Sequence, residues 1–443
     1  MTGWSSRGPG ARALDALRSV RGGQASGADP DECDTHARVV WSIVTEPGDA
    51  VAGTLVDAVG AARALEIVLA GGGRGDAPAR IADACAPSRP LDDDVVRALG
   101  PALARWSPRL RAIDAERVLA AAGSLHAGLI VPGDAAWPPG LDDLGPHAPL
   151  VLWVRSGRLR PAAGPAAPLG ADGLAVVGSR ANTVYGAEMT AEIVSRAADA
   201  GLTTVSGGAY GVDAVAHRVA LAAGAPTVAV LAGGVDQLYP SGNTDLLRRI
   251  ADVGAVVAES PPGTRPSRWR FLNRNRVIAA MSRAVIVVEA GHRSGALNTA
   301  NHAAQLGRPV GAVPGPLTSA ASAGCHRLVA AGRATLLCRP SDAIDLVRTL
   351  HPGPISVGRS VSPDGSVSAD DPVPVGGPVP LDGPMSDPML IRVLDALGTR
   401  QGVPVSEVAR RAGVAIADAE DTLALAELVG KAARTTVGWR QLR

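Results

Sequence analysis

Apolar positions change their spacing along the 443-residue chain, and each change marks a different kind of element. From His36 to about Gly123 they recur three and four apart, in ARVVWSIV, GTLVDAVGAARALEIVLA and VVRALGPALARW. That period places one helical face against a core, and it predicts a small all-helical unit over 36–125. Glu46, Pro47, Gly48 and Asp49 punctuate its first two helices. Ahead of it, residues 1–35 are rich in Arg, Ser, Gly and Pro and predict a disordered tail. Trp137 to Val154 breaks the helical period with prolines and glycines before a short apolar strand, and reads as a connector.

Beyond about residue 170 buried apolar runs alternate with amphipathic stretches. The runs are LAVVG from Leu174, TTVSGG from Thr203, TVAVLAG from Thr227, AVVAES from Ala255, AVIVVEA from Ala284 and PVGAVPG from Pro309. Parallel strands need helical crossovers of this kind, so the fold class is α/β, a doubly wound, mainly parallel sheet within 126–350. Ligands on such sheets bind beyond the carboxyl ends of the strands. Residues 351–385 have no period and read as a linker. Residues 386–443 predict a helix, a turn, a helix N-capped by Ser406, a third helix and a hairpin turning near Gly438, a winged-helix-like unit.

Composition narrows the chemistry. At 46% apolar residues the chain can fill a large core, and with a net charge of +1 any site for nucleic acid must be a local patch. Lys431 is the only lysine, which removes the P-loop and Schiff-base chemistries that need one. Cys33, Cys85, Cys325 and Cys338 show no CxxC spacing and fit a reducing cytoplasm. No run of about eighteen apolar residues predicts a membrane span.

The charge patch lies between Thr264 and Arg276. TRPSRWRFLNRNR holds five arginines, no acid, Trp269 and the only phenylalanine of the chain, Phe271. Arginine offers a planar fork to phosphate oxygens, and aromatic rings offer faces to unstacked bases. Three strand-end loops add small residues next to helix starts: Gly178, Ser179 and Arg180; Ser206, Gly207 and Gly208; and Arg293, Ser294 and Gly295. Such junctions present backbone N–H groups to an anion. Glu259 and Glu289 each end a strand, where they serve either as catalytic carboxylates or as ion-pair partners for pocket arginines. Asp213 and His217, four apart on a helix, read as a satisfied structural pair, since no third metal ligand accompanies them. The dinucleotide pattern GxGxxG with its following acid is absent, and no cofactor is expected.

Taken in order, GSR, SGGAYGVDAVAH, YPSGNTDL, ESPPG, FLNRNRVIAAMS, VVEAGHRSGALNTA and GRPVGAVPG resemble the DNA-processing protein A family, also called DprA or Smf. The resemblance covers about residues 174–335, and WPPGLDDLGPHAPLVLW is similar to the family's segment before the sheet. It implies a Rossmann-like domain that binds single-stranded DNA without strong sequence preference, protects incoming strands and loads the RecA recombinase in natural transformation. It implies no catalytic step. On this resemblance the DNA pocket is lined by Gly178, Ser179, Arg180, Ser206, Gly207, Gly208, Arg268, Phe271, Arg274, Asn275, Arg276, Arg293, Ser294 and Gly295, with Arg274 and Arg276 as phosphate clamps. It further implies a homodimer formed through the helices near 295–332, a SAM-like or helix-hairpin-helix-like N-terminal unit and a winged-helix-like C-terminal one. Two positions depart from the family pattern: Leu272, where proline is usual, is expected to loosen the arginine turn, and Cys325, where asparagine is usual, is expected to be buried and inert.

A rival reading is a nucleotide-processing enzyme of the nucleoside monophosphate phosphoribohydrolase type, whose PGGxGTxxE signature is missing. A third makes the C-terminal unit a reader of double-stranded DNA. Its expected recognition helix, IADAEDTLALAELVG, carries four acids and no arginine, which favours contact with protein instead.

Overall fold

The computed structural model describes residues 4–5, 8–21, 30–71, 76–157, 169–348, 388–399, 401–428 and 430–442. The expected linker over 351–385 lies outside the described residues. The chain opens with a small antiparallel pair, β1 (Trp4–Ser5) and β2 (Gly8–Pro9). The helices α1 (Ala11–Arg21), α2 (Pro30–Val44), α3 (Ala50–Val59), α4 (Ala61–Gly71), α5 (Ala77–Cys85), α6 (Asp93–Leu110) and α7 (Ala115–Ser124) follow. The expectation of a disordered tail over 1–35 fails for 11–21 and 30–35. Helix α1 buries Ala13, Leu14, Leu17 and Val20, while Arg18 pairs with Glu32 at 2.8 Å and Arg21 with Asp134 at 2.7 Å. The Arg- and Ser-rich composition hid four apolar positions at helical spacing.

A nine-stranded sheet carries the rest of the body. Its strands are β3 (Gly128–Ile130), β4 (Leu152–Arg155), β5 (Gly173–Val177), β6 (Thr203–Ser206), β7 (Thr227–Leu231), β8 (Ala255–Ala258), β9 (Ala284–Val287), β10 (Val310–Ala312) and β11 (Thr335–Leu336). Their order is β11-β10-β9-β5-β6-β7-β8-β4-β3, parallel from β11 to β8, with β4 and β3 added antiparallel at one edge. The six expected apolar runs all form strands. The short edge strands β3 and β11 escaped the pattern because two or three residues cannot establish a period.

Between the strands lie α8 (Val184–Asp199), α9 (Val212–Ala222), α10 (Thr244–Val253), α11 (Arg268–Ala280), α12 (Gly295–Gln305), α13 (Ala323–Ala330) and α14 (Asp342–Arg348). Chain order reverses at β5, which has β6 on one side and β9 on the other, so the crevice beyond β5 and β9 is the topological switch point of the sheet. The N-terminal helices share a core with this sheet. One continuous buried cluster runs from Trp41, Leu65 and Trp106 to Trp153, Leu231 and Val256, leaving no apolar break at residue 125.

The last segment forms α15 (Pro388–Ala396), α16 (Val405–Ala412), α17 (Ile416–Leu428) and the hairpin β12 (Ala432–Thr435) and β13 (Gly438–Gln441), around a small core of its own that includes Leu390, Val408, Leu423 and Trp439. Pro404 occupies the N-cap position of α16 without a side-chain hydrogen bond, and the expected cap Ser406 lies inside its first turn. Gly413 ends it in the left-handed conformation, φ 65°.

Candidate nucleic-acid interface

The arginine segment is a helix. Ser267 caps α11 by accepting a hydrogen bond from the Arg270 amide at 3.2 Å, and the helix continues without a break through Leu272 to Ala280. The expected loosening at Leu272 does not occur, because that residue sits in a regular helical turn where proline is not needed for geometry. Helical period sorts the four arginines inside α11 by direction, and Arg265 precedes the cap. Arg265 and Arg268 are exposed, whereas Arg270, Arg274 and Arg276 turn inward.

The inward three each have a partner. Arg276, 4% exposed, donates to both oxygens of Glu259 at 2.7 Å, and Gly48 donates its amide to the same carboxylate at 3.0 Å. Glu259 therefore takes the ion-pair role considered for it, and Arg276, expected as a phosphate clamp, ties the sheet to the N-terminal helices through Nη2. Arg274, 8% exposed, donates to the carbonyls of Gly207 at 2.8 Å and Val230 at 2.6 Å, stitching the ends of β6 and β7. Burial lowers its pKa to about 10, which leaves it charged at neutral pH. Arg270 pairs with Glu46 at 2.8 Å. Asn275, also buried, donates to the Gly295 carbonyl at 3.3 Å and to Asn298 at 3.1 Å, locking α11 to α12.

The Ser206 loop is likewise occupied from within. Ser206 is fully buried and its hydroxyl donates to the Val176 carbonyl at 2.7 Å. The amides of Gly207 and Ala209 donate to Asp213 at 3.1 and 3.2 Å, so an internal carboxylate holds the N–H groups that the sequence offers to a phosphate. Gly208 (φ 67°) accepts from Asn243 at 3.1 Å, and a side chain at Gly207 would collide with Arg274. His217 is buried beside this loop, bonded to the Thr227 hydroxyl at 2.8 Å, and burial lowers its pKa to about 3. Asp213 and His217 therefore do not form the satisfied pair expected of them: Asp213 holds backbone amides, and His217 bonds through Nδ1 alone, its buried Nε2 having no partner among the described residues.

What faces outward at this edge is a smaller set. Arg180 is exposed and its guanidinium carbon lies 5.2 Å from the centroid of Phe271. Arg274 lies 5.6 Å from that centroid, and Tyr239 meets the ring at 5.7 Å and 56°. Gly178 lets the loop pass, since any side chain there would press on Val212. Ser179 accepts from the Ala181 amide at 3.2 Å and shapes the turn that presents Arg180. Arg293 and Gly295 are exposed at the start of α12, which Ser294 caps. Arg268 projects outward while its amide donates to Asp395 of α15 at 2.6 Å. The Arg392 guanidinium carbon lies 5.4 Å from the centroid of Trp269, also considered as a base-stacking face.

Comparison with known proteins bears directly on this edge. A family model described as DNA recombination-mediator protein A matches residues 128–348, the span of the sheet. A DNA processing protein DprA of Mycobacterium tuberculosis is 42% identical over 330 residues, covering 71% of this chain and 77% of that protein. The chain belongs to the DNA processing protein A family. Another member of the family, from Streptococcus pneumoniae, is 42% identical over 159 residues, 36% of this chain and 56% of that one. The crystal structure of DNA processing protein A from the same organism is 28% identical and matches with a TM-score of 0.52, covering 70% of this chain and 97% of that one.

For this member of the family, reading the motifs alone missed two residues of the outward face, Tyr210 and Tyr239. They are 45% and 49% exposed, and the Tyr210 hydroxyl accepts from the Gly242 amide at 3.1 Å, bracing the loop that carries Tyr239. A signal was available. The chain has only three tyrosines and one phenylalanine, and all four sit in the loops or first turns at this sheet edge. In the buried set, Arg276→Ala is expected to lower the unfolding free energy by about 3 kcal/mol by leaving the largely buried Glu259 without its counter-charge. Denaturant titration tests this, with Arg276→Ala/Glu259→Ala expected to cost less than the single change; equal stability of Arg276→Ala and the parent would remove the pair from its supporting role.

Proposed function

We propose that the chain binds single-stranded DNA along the carboxyl edge of its sheet and delivers it to the RecA recombinase. The observation that carries this reading is the exposed Arg180 guanidinium stacked on Phe271 beside exposed Tyr239, a charge-and-ring surface that fits a strand with unstacked bases. Arg180, Arg268 and Arg293 are the residues we assign to phosphates; Phe271, Tyr239 and Tyr210 are those we assign to bases. Arg274 and Arg276 hold the surface from below. Delivery to RecA, protection of incoming strands in transformation, a cytoplasmic setting and dimerisation through the helices near 295–332 rest on the family resemblance. We assign no catalytic step. Among the described residues no helix is long and apolar enough to cross a membrane.

Fluorescence anisotropy with a labelled oligo-dT of ~20 nucleotides tests the reading. Binding should weaken as salt rises with a log–log slope of about −2, the value for roughly three phosphates at ~0.7 counterions each on a single strand. A slope near zero, or no binding at low salt, would sink the assignment. Adding RecA to a gel-shift of the same complex should produce a larger species containing both proteins, and a shift unaltered by RecA would remove that partner. A monomeric mass at micromolar concentration would remove the dimer.

A further inference from the structure

The loop that presents Arg180 leaves β5 and is fixed at two points before it enters α8. At the first, the Ser179 carbonyl accepts from the Val212 amide at the start of α9, at 3.1 Å. Gly211 (φ 76°) allows this approach, since a side chain there would meet the same carbonyl. At the second, Thr183 donates to Glu289 twice, its amide to one carboxylate oxygen at 2.9 Å and its hydroxyl to the other at 2.5 Å. That hydroxyl also accepts from the Gly186 amide at 3.1 Å and so caps α8. Only Arg180, Ala181 and Asn182 lie between the two fixed points.

Glu289 follows β9, the strand that pairs with β5, so its carboxylate ties the loop after one strand to the neighbouring strand. It is 2% exposed and makes no ion pair with a basic residue among the described residues, so the arginine-partner role considered for it does not arise. Burying a carboxylate is costly, and here the offsetting hydrogen bonds converge on one residue, Thr183. Gly186 admits the carboxylate, since a side chain there would collide with it. Packing does not hold the loop on this side. Thr183 and Glu289 line a cavity of about 500 Å³ with Tyr185, Pro314 and Ser319, and with open space next to it the position of Thr183 depends on those two bonds.

We propose that Glu289 is a positioning residue for DNA binding: through Thr183 it fixes the loop that holds the Arg180 guanidinium beside Phe271 and aims it at a phosphate. It touches no DNA itself. A loop already fixed in the free protein loses less conformational freedom when a strand engages it, so the anchor raises affinity without adding a contact. The inference rests on the single-strand reading above.

The test uses the full chain and the labelled oligo-dT of ~20 nucleotides. Thr183→Val removes the hydroxyl and keeps the shape; Glu289→Gln offers one acceptor to the two donors of Thr183. Each should weaken binding about fivefold, part of the roughly tenfold that a lost charge-assisted contact costs. The log–log salt slope should fall from about −2 to about −1.4, the value for roughly two phosphates at ~0.7 counterions each. Thr183→Ser keeps both donors and should bind as the parent does. In an Arg180→Ala background neither Thr183→Val nor Glu289→Gln should weaken binding further, because the group they position is gone. Thermal melts identify the variants that fold, and if one of the two does not, the other carries the comparison. Parent-like affinity and slope in a folded variant overturn the proposal and leave the single-strand reading standing. A loss of equal size with and without Arg180 also overturns it, since Glu289 then acts elsewhere. A parent chain that binds no strand overturns both readings.

Discussion

Phe271→Ala is expected to lower the affinity for oligo-dT by roughly tenfold or more, and Phe271→Ala/Arg180→Ala by about a hundredfold, at low salt. The magnitude follows from the ring's position. Arg180, Arg274 and Tyr239 all pack on Phe271, so its removal takes away one stacking face and the support that orients the exposed guanidinium. Base stacking on an aromatic is worth about 1–3 kcal/mol per base, and a lost phosphate contact adds to it. Because stacking is indifferent to base identity, oligo-dT and oligo-dC should weaken alike. Anisotropy titrations on both strands check this, alongside a thermal melt to show that the variant is folded. Parent-like affinity in the double variant would move the DNA site elsewhere.

Glu46→Ala is expected to cost about 3–5 kcal/mol of stability, the penalty for removing one member of a buried ion-paired group. Glu46 lies in the loop between α2 and α3 with its side chain 10% exposed, and it pairs with both Arg109 and Arg270. Arg109 also donates to the carbonyl of Arg410 at 2.8 Å and of Thr45 at 3.0 Å, and Arg270 donates to that of Arg411 at 3.2 Å. One carboxylate therefore joins the N-terminal helices, the arginine helix and the C-terminal unit. Without it two guanidinium groups face each other with no anion between them.

Acid should act on the same joint. Burial alone would raise the pKa of Glu46, but the charges of Arg270, Arg109 and Arg392 outweigh it and hold it at about 2, below the usual 4.5. A carboxyl with a depressed folded pKa contributes stability that is fully present above about pH 4.5 and is lost as pH falls towards 2. Denaturant midpoints measured between pH 7 and pH 3 should fall more steeply for the parent than for Glu46→Ala. Parallel pH profiles would show that the joint does not depend on this charge.

Much of the fold was legible because its signals are local. Six buried strands announced themselves as apolar runs, and helical crossovers between them dictated a parallel sheet. The helix at 11–21 was lost under a composition that described the tail as a whole. The site divided differently. Arg180, Arg268 and Arg293 were named from their motifs and are exposed, with Phe271 half-buried, while Ser206, Asn275 and the two expected phosphate clamps, Arg274 and Arg276, are internal. A motif marks positions where a residue type matters, and a buried guanidinium holding strand ends matters as much as an exposed one.

By itself, the sequence determined the α/β class, the order of the strands along the chain, the arginine-rich segment and the loops around it, all of which follow from spacing and residue type. Only the tertiary structure decided which arginines face the solvent. The reason is that direction around α11 depends on its phase against the sheet, and whether an arginine is free depends on acids far away in sequence, Glu46 and Glu259. It also brought the three tyrosines to the edge where Phe271 lies.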